Sequence, residues 1–309
     1  MKLKEWVYQN RDLFIKRDMK FLLNSLFGRD NDCLLDEPDS FEPDDFSFLE
    51  ELKDLYLKGM PMAFLIGKEE FYGFSFSVNA EDDCLFYKKR NRFLNGRGSL
   101  LFETESNQNR SGCKKNTCGV FIPRPETEII VDKALDIIVR ERIADVLDLC
   151  CGTSCIAIAI DKHREKDLNI FASDISPEAL KISLINKMAY KSSVFLVQSD
   201  LFGGFKPKMF DLIISNPPYV EDAYLEDKRG FYYEPAVALR GGSDGLFYLR
   251  RIIEYARFFL KKGGFLLLEI GFNQKPPIKR FIASYGEYEI VQWFSDYSGN
   301  WRGVVLRYG

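Results

Sequence analysis

Phe210–Tyr219 reads FDLIISNPPY, an apolar run that ends abruptly in a proline-stiffened tetrapeptide. Phe-Asp-Leu-Ile-Ile-Ser has the pattern of a short strand covered on both faces, as in a parallel sheet. Asn216-Pro217-Pro218-Tyr219 then removes two backbone donors and fixes two φ angles, so neither strand nor helix continues through it. A polar amide is thereby held on a stiff loop at the carboxyl end of a central strand, where open α/β sheets bind their ligands. A strand terminator with a surface turn is the plainer reading, but composition alone gives this tetrapeptide in about one chain in a thousand.

The segments on either side repeat an α/β unit. Val146–Cys150 reads as the first buried strand, Cys151–Ser154 as a turn, and Cys155–Ile160 as the start of a helix. Leu168–Ala172 is a second strand ending at Ser173-Asp174, and Ser176-Pro177-Glu178 opens the next helix with a cap and an early proline. Val194–Val197 is the third strand, ahead of Ser199-Asp200. Leu246–Leu260 is an amphipathic helix stopped by Lys261-Lys262-Gly263-Gly264, and Phe265–Ile270 is the fifth strand. Tyr288–Phe294 and Val304–Tyr308 close the sheet as an antiparallel pair. The expected fold class is therefore α/β: a Rossmann-like sheet of seven strands with helices on both faces.

At 309 residues the chain is long enough for a second unit, and its first part differs in character. Residues 1–67 carry Leu13, Phe14, Phe21, Leu22, Leu26, Phe48, Leu49, Leu52, Leu55 and Tyr56 near helical spacing, which predicts a small all-α domain. Asp44, or Ser47 with Glu50, would cap its second helical stretch. Such a domain suits packing or partner recognition equally. Residues 68–125 are expected to form a β-hairpin linker, with Gly67–Val78 as one strand and Gly119–Ile122 as the other. A long polar insertion at 81–118, carrying KKRNR at Lys88–Arg92, would fill the hairpin tip. Residues 126–309 would be the ligand-binding domain. Pro123-Arg124-Pro125-Glu126-Thr127-Glu128 connects the two as a stiff link whose acidic residues suit a first helical turn.

Several function classes drop out. The net charge of −3 leaves no global footprint for nucleic acid. No secretory signal is read in MKLKEWVYQNRDLF, and no apolar run approaches the roughly 18 residues of a membrane span, so a cytoplasmic location is expected. Seven cysteines fit reduced thiols better than a disulfide framework. Cys84, Cys113 and Cys118 match no standard zinc spacing, and His163 is the only histidine, so no metal is expected.

The turn after the first strand brings backbone N–H groups against a ligand, and Gly152 permits the closest approach. Asp174 follows about twenty positions later, the spacing at which a carboxylate meets a nucleotide ribose. Asp174 also fits the end of a strand ahead of a helix cap. These features mean an adenosine-containing cofactor, with NAD and S-adenosylmethionine both open, although the full dinucleotide glycine pattern is missing.

DLCCGTS at Asp148–Ser154, SD at Ser173-Asp174, SDLF at Ser199–Phe202 and NPPYV at Asn216–Val220 resemble the class I S-adenosylmethionine methyltransferases that act on planar amide or amine nitrogens. Within that group, PRPETE at Pro123–Glu128 and YEPAVALRGGSDGL at Tyr233–Leu246 resemble the release-factor glutamine methyltransferases, the HemK/PrmC family. The resemblance implies an S-adenosyl-L-methionine-dependent enzyme releasing S-adenosyl-L-homocysteine. Its substrate would be the glutamine side chain of the Gly-Gly-Gln motif of peptide-chain release factors, with no metal and no direct nucleic acid required. It implies that Cys150, Cys151, Gly152, Thr153 and Ser154 line the methionine and ribose part of the cofactor. Asp174 would bind the ribose hydroxyls, and Asp200 with Leu201 would flank the adenine. Asn216, Pro217, Pro218 and Tyr219 would hold the glutamine, with Asn216 also touching the cofactor. An amide NH₂ has two donors, which the Asn216 side-chain oxygen and the Pro217 carbonyl would accept. A ribosomal-protein glutamine methyltransferase is the near alternative. A nucleic-acid adenine or guanine amino methyltransferase, or a binding protein that has lost catalysis, are further ones. The chain departs from the family at two glycine positions, taken here by Cys150 and Ser154, which implies altered cofactor affinity.

Overall fold

The computed structural model describes residues 3–27, 43–79, 120–165, 167–226 and 233–309. These fall into two compact units, one within residues 1–67 and one comprising residues 68–79 and 120–309. The KKRNR run and Cys84, Cys113 and Cys118 lie outside the described residues.

The described residues of the first unit hold four helices, α1 (Leu3–Asn10), α2 (Lys16–Phe27), α3 (Pro43–Leu57) and α4 (Met62–Ile66). They bury Trp6, Leu22, Leu49, Leu52 and Leu65 together. Two polar links tie the helices across this core: Trp6 Nε1 donates to Glu50 Oε1 at 2.6 Å, and the Tyr56 hydroxyl donates to Asp18 Oδ2 at 2.8 Å. Leu13 and Phe14 are not helical as their spacing suggested; they lie in the turn after α1, where Phe14 stacks on Tyr56 with centroids 4.7 Å apart. Nor do Asp44 and Ser47 cap α3. That helix starts at Pro43, whose fixed φ suits a first helical position, and takes both residues inside it.

The second unit is built on a seven-stranded sheet. A separate hairpin, β1 (Lys68–Phe71) and β2 (Phe74–Ser77), precedes it. The sheet comprises β3 (Asp145–Leu149), β4 (Asn169–Asp174), β5 (Phe195–Gln198), β6 (Phe210–Ser215), β7 (Leu260–Glu269), β8 (Tyr288–Ser295) and β9 (Trp301–Tyr308). The order is β5-β4-β3-β6-β7-β9-β8, parallel from β5 through β7, with β9 antiparallel to β7 and β8 antiparallel to β9. The helices are α5 (Glu128–Arg140), α6 (Cys155–His163), α7 (Pro177–Ala189), α8 (Asp222–Glu226), α9 (Ala236–Leu239), α10 (Phe247–Phe259) and α11 (Lys275–Ala283).

Alternation along the strands divides the core in two. Val146, Ile170, Leu212, Ile214 and Leu267 pack with α5, α6 and the hairpin residues Phe71 and Phe76. Leu147, Leu149, Ile213, Leu266 and Leu268 pack on the opposite face with Leu249, Ile252 and Ile253 of α10 and Ile278 and Ile282 of α11. Both faces of the parallel strands are covered, which is why FDLIIS carries almost no polar position. The strand order reverses between β3 and β6, so a crevice opens beyond their carboxyl ends.

The hairpin corrects the sequence expectation. Gly67–Val78 is not one strand but two, joined at Tyr72 (φ 51°) and Gly73 (φ 77°), a two-residue turn with both φ positive. Val120–Ile122 belongs to no strand among the described residues. Tyr72 anchors the turn on α5, its N–H donating to Glu128 Oε1 and its hydroxyl to Asp132 Oδ1, each at 2.7 Å. Asn186 of α7 pairs with the backbone of Ser77 through both ends of its amide.

Candidate active site

A cavity of about 260 Å³ lies in the crevice, walled by the loops after β3, β4, β5 and β6 and by Val120–Thr127 and Pro235–Leu239. Cys150, Cys151, Gly152, Thr153, Asp174, Asp200, Leu201, Asn216, Pro217, Pro218 and Tyr219 all line it. Ser154 does not. It is fully buried behind the loop, its hydroxyl donating to Ser183 Oγ at 2.9 Å.

The loop between β3 and α6 is left-handed at alternate residues: Cys150 (φ 58°), Gly152 (φ 54°) and Ser154 (φ 59°). Only glycine adopts that region without steric cost, so Cys150 and Ser154 are strained by about 1–2 kcal/mol each. Neighbouring groups hold the shape. Cys151 N donates to Ser173 O at 3.0 Å, Ser183 Oγ donates to Gly152 O at 2.7 Å, and Asn186 Nδ2 donates to Thr153 O at 3.1 Å. Asp148, at the end of β3, receives Ala157 N at 3.2 Å, and its burial raises the carboxyl pKa to about 8. Burial also pushes the thiols up, Cys155 to about 12, so they remain protonated and are poor nucleophiles at neutral pH.

Asp174 faces the cavity with its carboxylate already oriented. Gly152 N donates to Oδ2 and Ser176 N to Oδ1, both at 2.9 Å. Each oxygen keeps a further lone pair, so the pair of them matches a vicinal diol, and burial raises its pKa in the meantime. The nearby Asp200 is exposed, 3.7 Å from Arg251, and Leu201 turns inward with φ 45°. Ile175, half exposed, and Tyr248 supply apolar surface beside them.

Across the cavity, Asn216 Nδ2 donates to Thr127 Oγ1 at 3.1 Å. Asn216 Oδ1 and the Pro217 carbonyl accept no hydrogen bond among the described residues. The Tyr219 hydroxyl donates to Glu269 Oε1 at 3.0 Å, and burial raises the phenol pKa further above its ordinary value. Gln274 Nε2 donates to Tyr219 O at 2.9 Å and to Gly245 O at 3.2 Å. A Cβ on Gly245 would sit 2.5 Å from Tyr219 O, and one on Gly241 would sit 2.8 Å from Tyr219 C. The Gly-Gly-Ser-Asp-Gly segment is therefore packed backbone to backbone against the NPPY loop, with Val220 N donating to Leu239 O and Gly241 N to Val220 O.

Arg124, between two prolines, faces a buried carboxylate. Its guanidinium pairs with Glu234, a buried carboxylate that also receives Ile122 N at 3.0 Å. The pair joins PRPETE to YEPAV across 110 residues of chain. Sequence reasoning missed Glu234, Glu269 and Gln274. The only available signal for Glu269 was a charge at the end of an otherwise apolar run, Phe265–Ile270.

A family described as the methyltransferase small domain matches residues 127–229. The release factor glutamine methyltransferase of Thermodesulfovibrio yellowstonii is 38% identical over 198 residues, 61% of this chain and 69% of that protein. That of Clostridium botulinum is 30% identical over 297 residues, covering 94% of this chain and 91% of the relative. The chain belongs to the release factor glutamine methyltransferases. Two solved structures are similar at lower identity. A ribosomal protein L11 methylase from Lactobacillus delbrueckii subsp. bulgaricus has a TM-score of 0.45 at 19% identity, covering 62% of this chain and 82% of that one. The E. cuniculi Mtq2–Trm112 complex, described as responsible for methylation of eRF1, has a TM-score of 0.43 at 20% identity, covering 61% and 97%. Neither likeness carries weight for the substrate. As a member of this family the chain is a methyltransferase, and no group of three potential metal ligands occurs among the described residues. No helix among them is long and apolar enough to cross a membrane.

Proposed function

We propose that this enzyme methylates the side-chain amide nitrogen of the glutamine in the Gly-Gly-Gln motif of peptide-chain release factors. The observation that carries the reading is the pair of unsatisfied acceptors, Asn216 Oδ1 and the Pro217 carbonyl, on one proline-stiffened edge of the cavity. They match the two donors of a primary amide. S-adenosyl-L-methionine, when bound, supplies the electrophilic methyl group. Asp174 would hold its ribose hydroxyls, the Cys150–Thr153 backbone its methionine end, and Asp200 with Leu201 its adenine. Asn216 and Pro217 fix the glutamine nitrogen in one orientation, and the Tyr219 ring offers a face to the planar amide. Orientation of this kind removes much of a barrier without a base or a covalent intermediate. A methylated amide nitrogen loses its proton readily to water. The helical unit of residues 1–67 would supply affinity for the release factor outside the glutamine pocket.

Transfer of labelled methyl groups tests this directly. Label should reach a purified release factor, and should vanish with Gln→Ala in its Gly-Gly-Gln motif. Label appearing instead on a large-subunit ribosomal protein, or on DNA, would overturn the substrate while leaving the chemistry on planar nitrogen intact.

A further inference from the structure

Strands β6 and β7 run side by side with Ser215 opposite Leu268, so the chain leaves both strands at the same level of the sheet. Asn216–Tyr219 follows the first strand, and the corner Glu269–Gln274 leads from the second into α11. That corner reaches Tyr219 at both ends. Glu269 Oε1 accepts from the Tyr219 hydroxyl at 3.0 Å, and Gln274 Nε2 donates to the Tyr219 carbonyl at 2.9 Å. Both side chains are buried, only 2% and 4% exposed, and neither lines the cavity.

Gln274 is itself held in one orientation. Its Oε1 accepts from Gly271 N at 2.8 Å, and Nε2 also donates to Gly245 O at 3.2 Å. An amide has two N–H donors, and here each has a carbonyl. Turning the amide over would set its NH₂ against the Gly271 N–H and its oxygen against two carbonyls. The seat is cut to its shape. A Cβ on Gly245 would lie 2.6 Å from Gln274 Nε2, and one on Gly271 would lie 3.1 Å from Gln274 Cδ. A buried polar group with its partners in place is stiff.

The loop between strand and corner transmits this stiffness. Pro217 and Pro218 fix two φ angles, so a displacement at Tyr219 passes back to the Pro217 carbonyl and Asn216 instead of being absorbed. The hydroxyl bond orients the ring as well, because a phenol O–H lies in the plane of its ring. The prolines make the wall rigid, and the corner decides where it stands. We propose that Glu269 and Gln274 are positioning residues that set the substrate wall through the two ends of Tyr219. The inference rests on the reading of Asn216–Tyr219 as the wall that takes the glutamine amide.

Gln274→Met keeps the side chain's length and removes both donors. Its kcat, counted per cofactor-binding site by calorimetry, should fall by about 30-fold, with the affinity for S-adenosylmethionine within about twofold of wild type. A structural role alone would lower the urea midpoint and the number of sites but leave kcat per site unchanged. Glu269→Leu and Tyr219→Phe should each lower kcat by about tenfold, and the double variant should be no worse than either, because both cut one hydrogen bond. Glu269→Gln keeps an acceptor for the hydroxyl and should recover most of that loss. A kcat per site within about twofold of wild type for Gln274→Met, or additive losses in the double variant, overturns the proposal. If Gln274→Met or Glu269→Leu does not fold, Tyr219→Phe decides: a kcat per site within about twofold of wild type overturns it. A wild-type enzyme that labels another acceptor would sink the substrate reading instead, and the same kcat ratios on that acceptor would still decide this one.

Discussion

The two walls of the cavity hold their backbones by opposite means. The wall at Asn216–Tyr219 is made of residues that permit little else: two prolines fix the path, and Gly241 and Gly245 fit where no side chain can. The wall at Cys150–Ser154 is made of residues that resist their own conformation. Cys150 and Ser154 occupy left-handed backbone, and the loop keeps its shape through Ser183, Asn186 and Asp174 from neighbouring elements. One wall is rigid by composition and the other by context. Damage to the first should be local and severe, and damage to the second graded.

Asn216→Ala offers the sharpest break. It removes an acceptor from the rigid wall and leaves the prolines in place, so it should lower kcat by about a thousandfold with little change in cofactor affinity. Labelled-methyl transfer and calorimetry on the same preparation check both halves of that statement. A parallel loss of cofactor binding would mean that the two walls are not separable.

Asp174→Ala attacks the other wall. It removes both the diol acceptors and the anchor of Gly152 N, and each hydrogen bond to a charged group contributes about 1.5–3 kcal/mol. Affinity for S-adenosylmethionine, read by calorimetry, should fall by about a hundredfold. Gly245→Ala probes the rigid wall by stability instead. Its Cβ would meet Tyr219 O at 2.5 Å and Gln274 Nε2 at 2.6 Å, at a φ of +70°. A loss of about 2–4 kcal/mol in urea unfolding follows, with methyl transfer reduced in the folded fraction.

The same contrast sorts what was legible in the sequence. The strands of the sheet were readable because each is an apolar run closed by turn residues, and FDLIIS was placed to the residue. The NPPY wall was readable because proline states its own conformation. The hairpin was not, since the aromatic alternation Tyr72, Phe74, Phe76 runs unbroken through the two-residue turn that reverses the chain. Helix α11 was missed because Pro276-Pro277 looks like punctuation, although prolines in a first turn begin a helix. Glu234 and Glu269 were illegible for a different reason. Their partners, Arg124 and Tyr219, are 110 and 50 residues away, and no local pattern connects them. Cys150 and Ser154 stood out only as departures from a glycine pattern; that both are left-handed is a fact of the folded loop.

That fact allows the finest test of the contrast. Cys150→Gly removes a left-handed strain of about 1–2 kcal/mol and adds about 0.5–1 kcal/mol of unfolded-chain entropy, for a net gain of about 0.5–1 kcal/mol. Ser154→Gly relieves the same strain but deletes a buried hydroxyl bonded to Ser183, which costs about 1 kcal/mol, so its net change should be zero or slightly unfavourable. The measurement is the urea midpoint of each variant at constant m, which isolates stability from compactness. Context-dependent rigidity requires Cys150→Gly to exceed Ser154→Gly by about 1 kcal/mol. Equal gains at both positions would mean that Ser183 contributes nothing to the loop and that the glycine-poor wall is strained without being held.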